Sequence, residues 1–318
     1  MGKKDILTKQ YLAQDDVFAD AFNYYFFDGE EVIKPGELKE QDAAELAAID
    51  KMNKVFTSQK MRDVLKICNI KRSKYATMVL LGIEGQTNIH YAMPVRDYLY
   101  DALNYASQVE NIRKQHEDNK DLSGDERISG FSREDHILPV ITLCICFDKK
   151  KWDAPRSLFD MFGDMDPRIA KYVDDYRLNL ITPDEIEDFK KFSSELGKVM
   201  EIIHISDDSE KLHDIIMSGS DELKVKTVEM INMFAGTRIS TDNAKGGQVM
   251  VSKAWKELVD AEREIGREEG WEEGISEGGD MLAKLLKILV PGSIEFDKAL
   301  NATGKERMKL YKKYGILD

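Results

Sequence analysis

The sequence predicts an α/β fold: a compact core in the order helix, strand, strand, helix, strand, followed by a mainly helical C-terminal region. Three observations predict it. Aromatic residues recur at helical spacing across 12–27. Three apolar runs, Arg62–Ile67, Ala76–Ile83 and Ile137–Phe147, have strand length and are rich in Ile, Val and Leu. Between the second and third, Pro94 opens a segment with apolar residues at helical spacing to about His116. That alternation makes a compact α/β core rather than a long doubly wound sheet.

The elements follow in order. In 12–27, Phe18, Phe22, Tyr25 and Phe26 form an apolar stripe. Asp16, Asp20 and Asn23, at i, i+4 and i+7, form a polar one, ordinarily a solvated face. Asp28-Gly29-Glu30 and Pro35-Gly36 read as turns. Residues 37–60 are polar and mixed, a loop with a short helix. The run Ala76–Ile83 is nearly all apolar, as in a strand buried on both faces. Val95, Leu99, Ala102, Ala106, Val109 and Ile112 give the next helix its expected buried stripe. Residues 117–135 are polar, carry Gly124 and Gly130, and read as a loop. Tyr176–Ile181 reads as an edge strand, 183–235 as mainly helical, and 281–317 as a short helical pair.

Composition narrows the function classes. The chain has 318 residues, 42% of them hydrophobic, enough for a large core. Its net charge of −13 argues against a protein that coats DNA through basic side chains. A metal ion or a local basic patch can still bring nucleic acid to an acidic chain. No N-terminal apolar run matches a signal peptide, and no run approaches a membrane span. Cys68, Cys144 and Cys146 are too few for a disulfide framework and suit a reducing cytoplasm. The expected division is a core at 1–180, a helical region at 181–255 and a tail at 256–318. From Lys256 to Asp280 the tail holds ten acids and three bases, with Gly266, Gly270, Gly274 and Gly278 every four residues. Such a helix is marginal alone, and small residues at that spacing let another helix approach. Self-association through this tail is therefore expected.

The candidate site lies on the two middle strands. Asp63 heads one and Glu84 sits near the end of the next. Gln86, two residues on, projects with Glu84, and the Gly85 carbonyl lies between them. Two acids on adjacent strands with a polar side chain at i+2 is how a strand-borne Mg²⁺ site for phosphodiester chemistry is built. The same spacing also describes two strand-end acids facing water. Arg96 is placed either to meet a phosphate near a helix N-terminus or to pair with Asp97 or Asp101. The five histidines show no metal spacing, which argues against zinc. Cys144 and Cys146 share a face of an apolar run and read as core. Trp152 with Pro155 reads as packing.

A series of strings carries a resemblance: Phe18-Ala-Asp20-Ala-Phe-Asn23, Arg62-Asp63, Gly82-Ile-Glu84-Gly-Gln86, Ile89-His-Tyr-Ala-Met-Pro-Val-Arg96, Leu138-Pro-Val-Ile-Thr-Leu, Trp152-Asp-Ala-Pro-Arg-Ser-Leu and the Glu-Glu-Gly tail. In order and spacing, over about residues 12–280, it resembles the Rpn-type recombination-promoting nucleases, also called PD-(D/E)XK nuclease family transposases. The resemblance implies a restriction-endonuclease-like core, a mixed sheet flanked by helices with the site at one sheet edge. It implies that Asp63, Glu84 and the Gly85 carbonyl hold Mg²⁺, with Mn²⁺ as a substitute. It implies catalytic roles for Gln86 and for Asp20 on the first helix, with Asn23, Tyr91 and Arg96 in DNA contact or in support. The wider family has Lys where this chain has Gln86, which leaves the lysine's role unassigned. The implied function is a cytoplasmic, metal-dependent DNA endonuclease linked to recombination, mobile elements or defence. The alternative is a weak or inactive relative that binds DNA or protein.

Overall fold

The computed structural model describes residues 2–40, 63–72, 75–218 and 222–317. It divides into two compact units, Met1–Ser252 and Lys253–Asp318. Arg62 and most of the expected 37–60 loop lie outside the described residues.

The helix expected at 12–27 is preceded by another. Helix α1 spans Lys3–Leu12 and α2 spans Asp15–Phe27. Val17 to Asn23 are all buried, so the middle of α2 is enclosed on every side, while Tyr25 and Phe26 of the expected apolar stripe are exposed. Phe18 and Phe22 are at the bottom of that packing, worth about 1.5–3 kcal/mol each. Against expectation, Asp20 and Asn23 are buried too, because each has found hydrogen-bond partners that repay its desolvation. Asp28 ends α2 in the left-handed conformation at φ 55°, and Gly29 follows at φ 87°, forming the expected turn. Pro35-Gly36 begins a single 3₁₀ turn.

Among the described residues, β1 (Lys39–Glu40), β2 (Val64–Arg72), β3 (Tyr75–Gln86), β4 (Val140–Cys146) and β5 (Asn179–Ile181) form one sheet in that spatial order. β1–β2 and β2–β3 are antiparallel. β3–β4 and β4–β5 are parallel, so the sheet is mixed. Parallel neighbours need a crossover, and helix α3 (Met93–Asn119) with the short α4 (Gly124–Ser129) supplies it between β3 and β4. The register sets Leu81, Ile83 and Gly85 beside Ile141, Leu143 and Ile145 on one face. Glu84 and Gln86 lie beside Cys144 and Cys146 on the other. Helix α1 packs on β3 from the first face. Helix α3 lies along β4, and the Thr142 hydroxyl donates to Asp101 at 2.6 Å.

The orientation of α3 reverses the expectation. Val95 is 47% exposed, and Ala102, Ala106 and Val109 are exposed as well. The inward face is polar: Asp97, Asp101, Asn104 and Ser107, with Tyr100. Hydrophobic spacing selected the wrong side because Asp101, Asn104 and Gln108 find hydrogen-bond partners inside. Asp101 accepts from Thr142 and from the Tyr176 hydroxyl at 2.7 Å, and Gln108 exchanges two hydrogen bonds with the Leu138 backbone.

Short helices α5 (Leu158–Met161) and α6 (Pro167–Ala170) precede β5. Then come α7 (Leu196–Ile205), α8 (Ser209–Ser218), β6 (Glu222–Lys224), α9 (Val225–Ala235) and β7 (Gln248–Met250), with β6 and β7 paired antiparallel. Helix α9 packs on α1 and on α7, and α7 on α2, so residues 181–252 share a unit with the sheet. The second unit holds most of α10 (Val251–Ile288), with α11 (Ile294–Asn301) and α12 (Gly304–Lys313). Leu285, Leu289, Ala299 and Tyr311 make its small core. No described helix is long and apolar enough to cross a membrane.

Candidate functional site

β2 begins one residue after Asp63, which stands at a bend. The antiparallel register pairs Val64 with Ile83, so Asp63 enters the sheet beside the end of β3. There its Oδ2 accepts the Gly85 backbone N–H at 2.9 Å. Glycine is required at 85 by close approach. A Cβ there would lie 2.5 Å from Thr8 Cγ2 and 2.8 Å from Leu12 Cδ1, so only glycine lets α1 press onto β3 beside Asp63.

Glu84, one residue earlier, projects to the α3 face and is fully buried. Its Oε2 lies 3.2 Å from Arg96 Nη2 in an ion pair. The Arg96 Nε donates to the Tyr100 hydroxyl at 3.1 Å, and the guanidinium lies over the Tyr100 ring, 5.7 Å from its centre. This holds Arg96 on the first turn of α3, the turn that Pro94 opens. Arg96 pairs with Glu84 rather than with Asp97 or Asp101, the partners that spacing on one helix suggested. Gln86 is buried on the same face as Glu84, and its carbonyl accepts the Phe147 N–H at 2.8 Å.

Charge binds these groups into one neighbourhood. Burial pushes the Asp63 carboxyl up, against the pull of the Gly85 N–H, Lys9 and Arg96. Burial pulls Arg96 down, but Glu84, Tyr100 and Asp63 outweigh it and hold the guanidinium above its ordinary value. Burial raises the Tyr100 phenol, and Glu84 adds to the rise. Burial lowers His90, and Arg96 lowers it further. Both carboxylates therefore act on the same arginine and the same tyrosine.

Other expected residues lie in different contacts. Asp20 accepts four hydrogen bonds, from the backbone N–H and the hydroxyl of both Ser193 and Ser194, at 2.6 to 3.0 Å. Asn23 donates to the Ile33 carbonyl at 2.8 Å and accepts from the Val32 and Ile33 N–H groups. These two residues tie α2 to the segments before α7 and after its own turn. Tyr91 is exposed and donates to Asp153 at 2.9 Å. Lys66 is buried on the face opposite Glu84, bonded to the Ala13 carbonyl at 2.7 Å and paired with Asp15, so it does not replace the family's lysine.

Lys9, His90 and Tyr100 belong to this neighbourhood but were not assigned to it from sequence. Lys9 sits on α1, a helix with no strong apolar period. His90 lies in the turn before α3, and a single histidine at a turn carries no pattern. Tyr100 stands four residues after Arg96, a spacing equally common on plain surface. Cys144 and Cys146 are core, as expected, and burial pushes the Cys146 thiol up to about 11. Trp152 is buried and donates to the Ala154 carbonyl at 2.9 Å, a packing role.

The donor types suit a hard cation, two carboxylates and a main-chain carbonyl, all oxygen, but Glu84 turns to the α3 face while Asp63 Oδ2 lies 3.5 Å from where a Gly85 Cβ would stand, on the side that α1 covers. The set stops short of a full cage, because among the described residues no three His, Cys, Asp or Glu side chains converge to hold a metal. No family model, curated protein or solved structure matches the chain.

Proposed function

We propose that this chain is a Mg²⁺-dependent DNA endonuclease of the Rpn-type PD-(D/E)XK kind, acting in the cytoplasm in recombination, mobile elements or defence. The observation that carries the reading is the placing of Asp63 and Glu84 at one end of adjacent strands, one residue before Val64 and one after Ile83, which face each other across the sheet. The Asp63 carboxylate takes the N–H of the residue next to Glu84, and both acids act on Arg96. The order of sequence motifs around them supports the same reading.

In this proposal Asp63, Glu84 and the Gly85 carbonyl hold Mg²⁺, with Mn²⁺ as a substitute. When bound, such an ion neutralises charge at phosphorus and acidifies a water. The chain's own groups do the rest. Arg96 presents a fixed positive charge, planar and suited to two phosphate oxygens. Tyr100 holds that guanidinium in place through its hydroxyl and ring face. Gln86 offers an amide to a water or a phosphate oxygen but adds no charge. The test is plasmid nicking with Mg²⁺ by the parent, Asp63→Ala and Glu84→Ala. The parent should nick, and each variant should lose about two orders of magnitude or more, in line with loss of a group that stabilises developing charge. Equal activity in all three discards the assigned site.

A second reading has its own observation. Glu84 is already ion-paired with Arg96, and two carboxylates are few for a tight cation site. A weak or inactive nuclease-like protein that binds DNA or protein fits that arrangement. Calorimetry with Mg²⁺ or Mn²⁺ separates the two: binding lost in Glu84→Ala favours the nuclease, and no binding by the parent favours the rival.

A further inference from the structure

We infer that Arg96 is the resident counter-ion of Glu84 and exchanges it for an anion, so that a divalent cation and a phosphate group enter this site cooperatively. The inference rests on the reading of Asp63 and Glu84 as cation ligands and adds a coupling to it.

The argument begins with burial. Glu84 is fully buried, and a carboxylate so enclosed is costly unless it is paired. Arg96 supplies the pairing at 3.2 Å, and Asp63 adds to the field that holds its charge. The arginine is not itself enclosed: its side chain is 34% exposed while its Nη2 holds Glu84. Its anchor, the Tyr100 hydroxyl, bonds Nε and leaves the donor fork to choose its partner.

Two ligands then compete and cooperate through this one pair. A divalent cation on Glu84 must displace or weaken the arginine's hold, which leaves a partly desolvated guanidinium in need of an anion. A phosphate on Arg96 draws the guanidinium away, which leaves a buried carboxylate in need of a cation. Each ligand removes the cost that the other meets. By linkage the effect is reciprocal: phosphate tightens the cation as much as the cation tightens phosphate. The site thereby selects a phosphate that arrives with its metal over either ion alone. A nucleic-acid backbone in Mg²⁺ has that chemistry, and so does free inorganic phosphate.

The test is calorimetry of the full chain. Mg²⁺ is titrated without anion, then with inorganic phosphate, then with a short DNA duplex. The expected result is that the apparent Mg²⁺ affinity rises about fivefold or more with an anion present, the lower range of common allosteric couplings. In Arg96→Met the rise should vanish. In Arg96→Lys part of it should remain, because the charge is kept and the planar fork is lost. Circular dichroism on each variant confirms folding. Enhancement by the duplex alone assigns the anion site to a phosphodiester backbone, and enhancement by both probes assigns it to phosphate in general. Mg²⁺ binding that ignores both anions overturns the exchange while leaving the metal reading intact. An enhancement of equal size in Arg96→Met overturns it too, because the anion then acts without Arg96. No Mg²⁺ binding under any condition removes both readings.

Discussion

Asp63 carries opposing demands within one side chain. Burial raises its carboxyl, while the Gly85 N–H, Lys9 and Arg96 favour the charged form, and the balance is upward. The sign for stability follows. A carboxyl whose folded value is raised binds its proton more tightly in the folded chain, so its contribution is present below the ordinary carboxylate value. It is lost as pH rises through the raised one. Asp63→Asn keeps an oxygen for the Gly85 N–H and removes the charge. It should therefore be the more stable chain at neutral pH, by up to about 1 kcal/mol, with the gap closing in acid. Denaturant unfolding at about pH 3 and about pH 7, either side of most of that window, checks this. A gap that widens toward acid would contradict it. Asp20 is a buried carboxylate with four donors. Asp20→Ala should cost about 2–4 kcal/mol through its unpaired serine groups and leave Mg²⁺ affinity unchanged. Loss of Mg²⁺ binding in a variant that still folds would instead tie Asp20 to the metal site. Resemblance marked Asp20 as important, but the spacing on α2 is silent about Ser193 and Ser194, which lie more than 170 residues away.

Elements meet at the site through two close contacts. Helix α1 reaches β3 only because residue 85 lacks a side chain. Gly85→Ala should destabilise the fold by about 1–3 kcal/mol through overpacking against Thr8 and Leu12. Hydrogen exchange should show the loss concentrated in α1, and unchanged protection there would refute the contact. On the other face α3 brings Arg96 to Glu84 by burying its polar side. The strands were legible from apolar runs, since β3 and β4 are covered on both faces. The turn at Asp28-Gly29 was legible from its residue types. Helix α3 was legible in extent but not in rotation. An amphipathic period locates an apolar stripe, and only the hydroxyls of Thr142 and Tyr176 and the Leu138 backbone show why the polar stripe faces inward. Helix α1 escaped notice because its buried residues, Leu7, Thr8, Tyr11 and Leu12, mix polar and apolar types.

At the scale of the molecule, the tail is the feature most open to test. α10 is one 38-residue helix, about 57 Å long, despite its glycines. Gly266, Gly270, Gly274 and Gly278 have nothing within 4 Å of where a Cβ would stand, and Trp271 and Ile275 are exposed. Replacing these four glycines with alanine should raise the helix's stability by about 1 kcal/mol at each position in a chain that does not associate there. If residues 256–290 do join copies of the chain, the same changes should reduce the mass seen by light scattering, because the added methyl groups hold the helices apart. An unchanged mass and a higher melting temperature would count against self-association through this stripe. The apolar strands, the extents of α2 and α3, the acids at strand ends and the glycine period were local properties, and local spacing determined them. Which side of α3 turns inward, which acid Arg96 neutralises, and whether Asp20 serves a ligand or two serines depended on contacts between distant segments. Those contacts are decided by the three-dimensional balance of burial against hydrogen bonding, a quantity that no stretch of neighbouring residues contains.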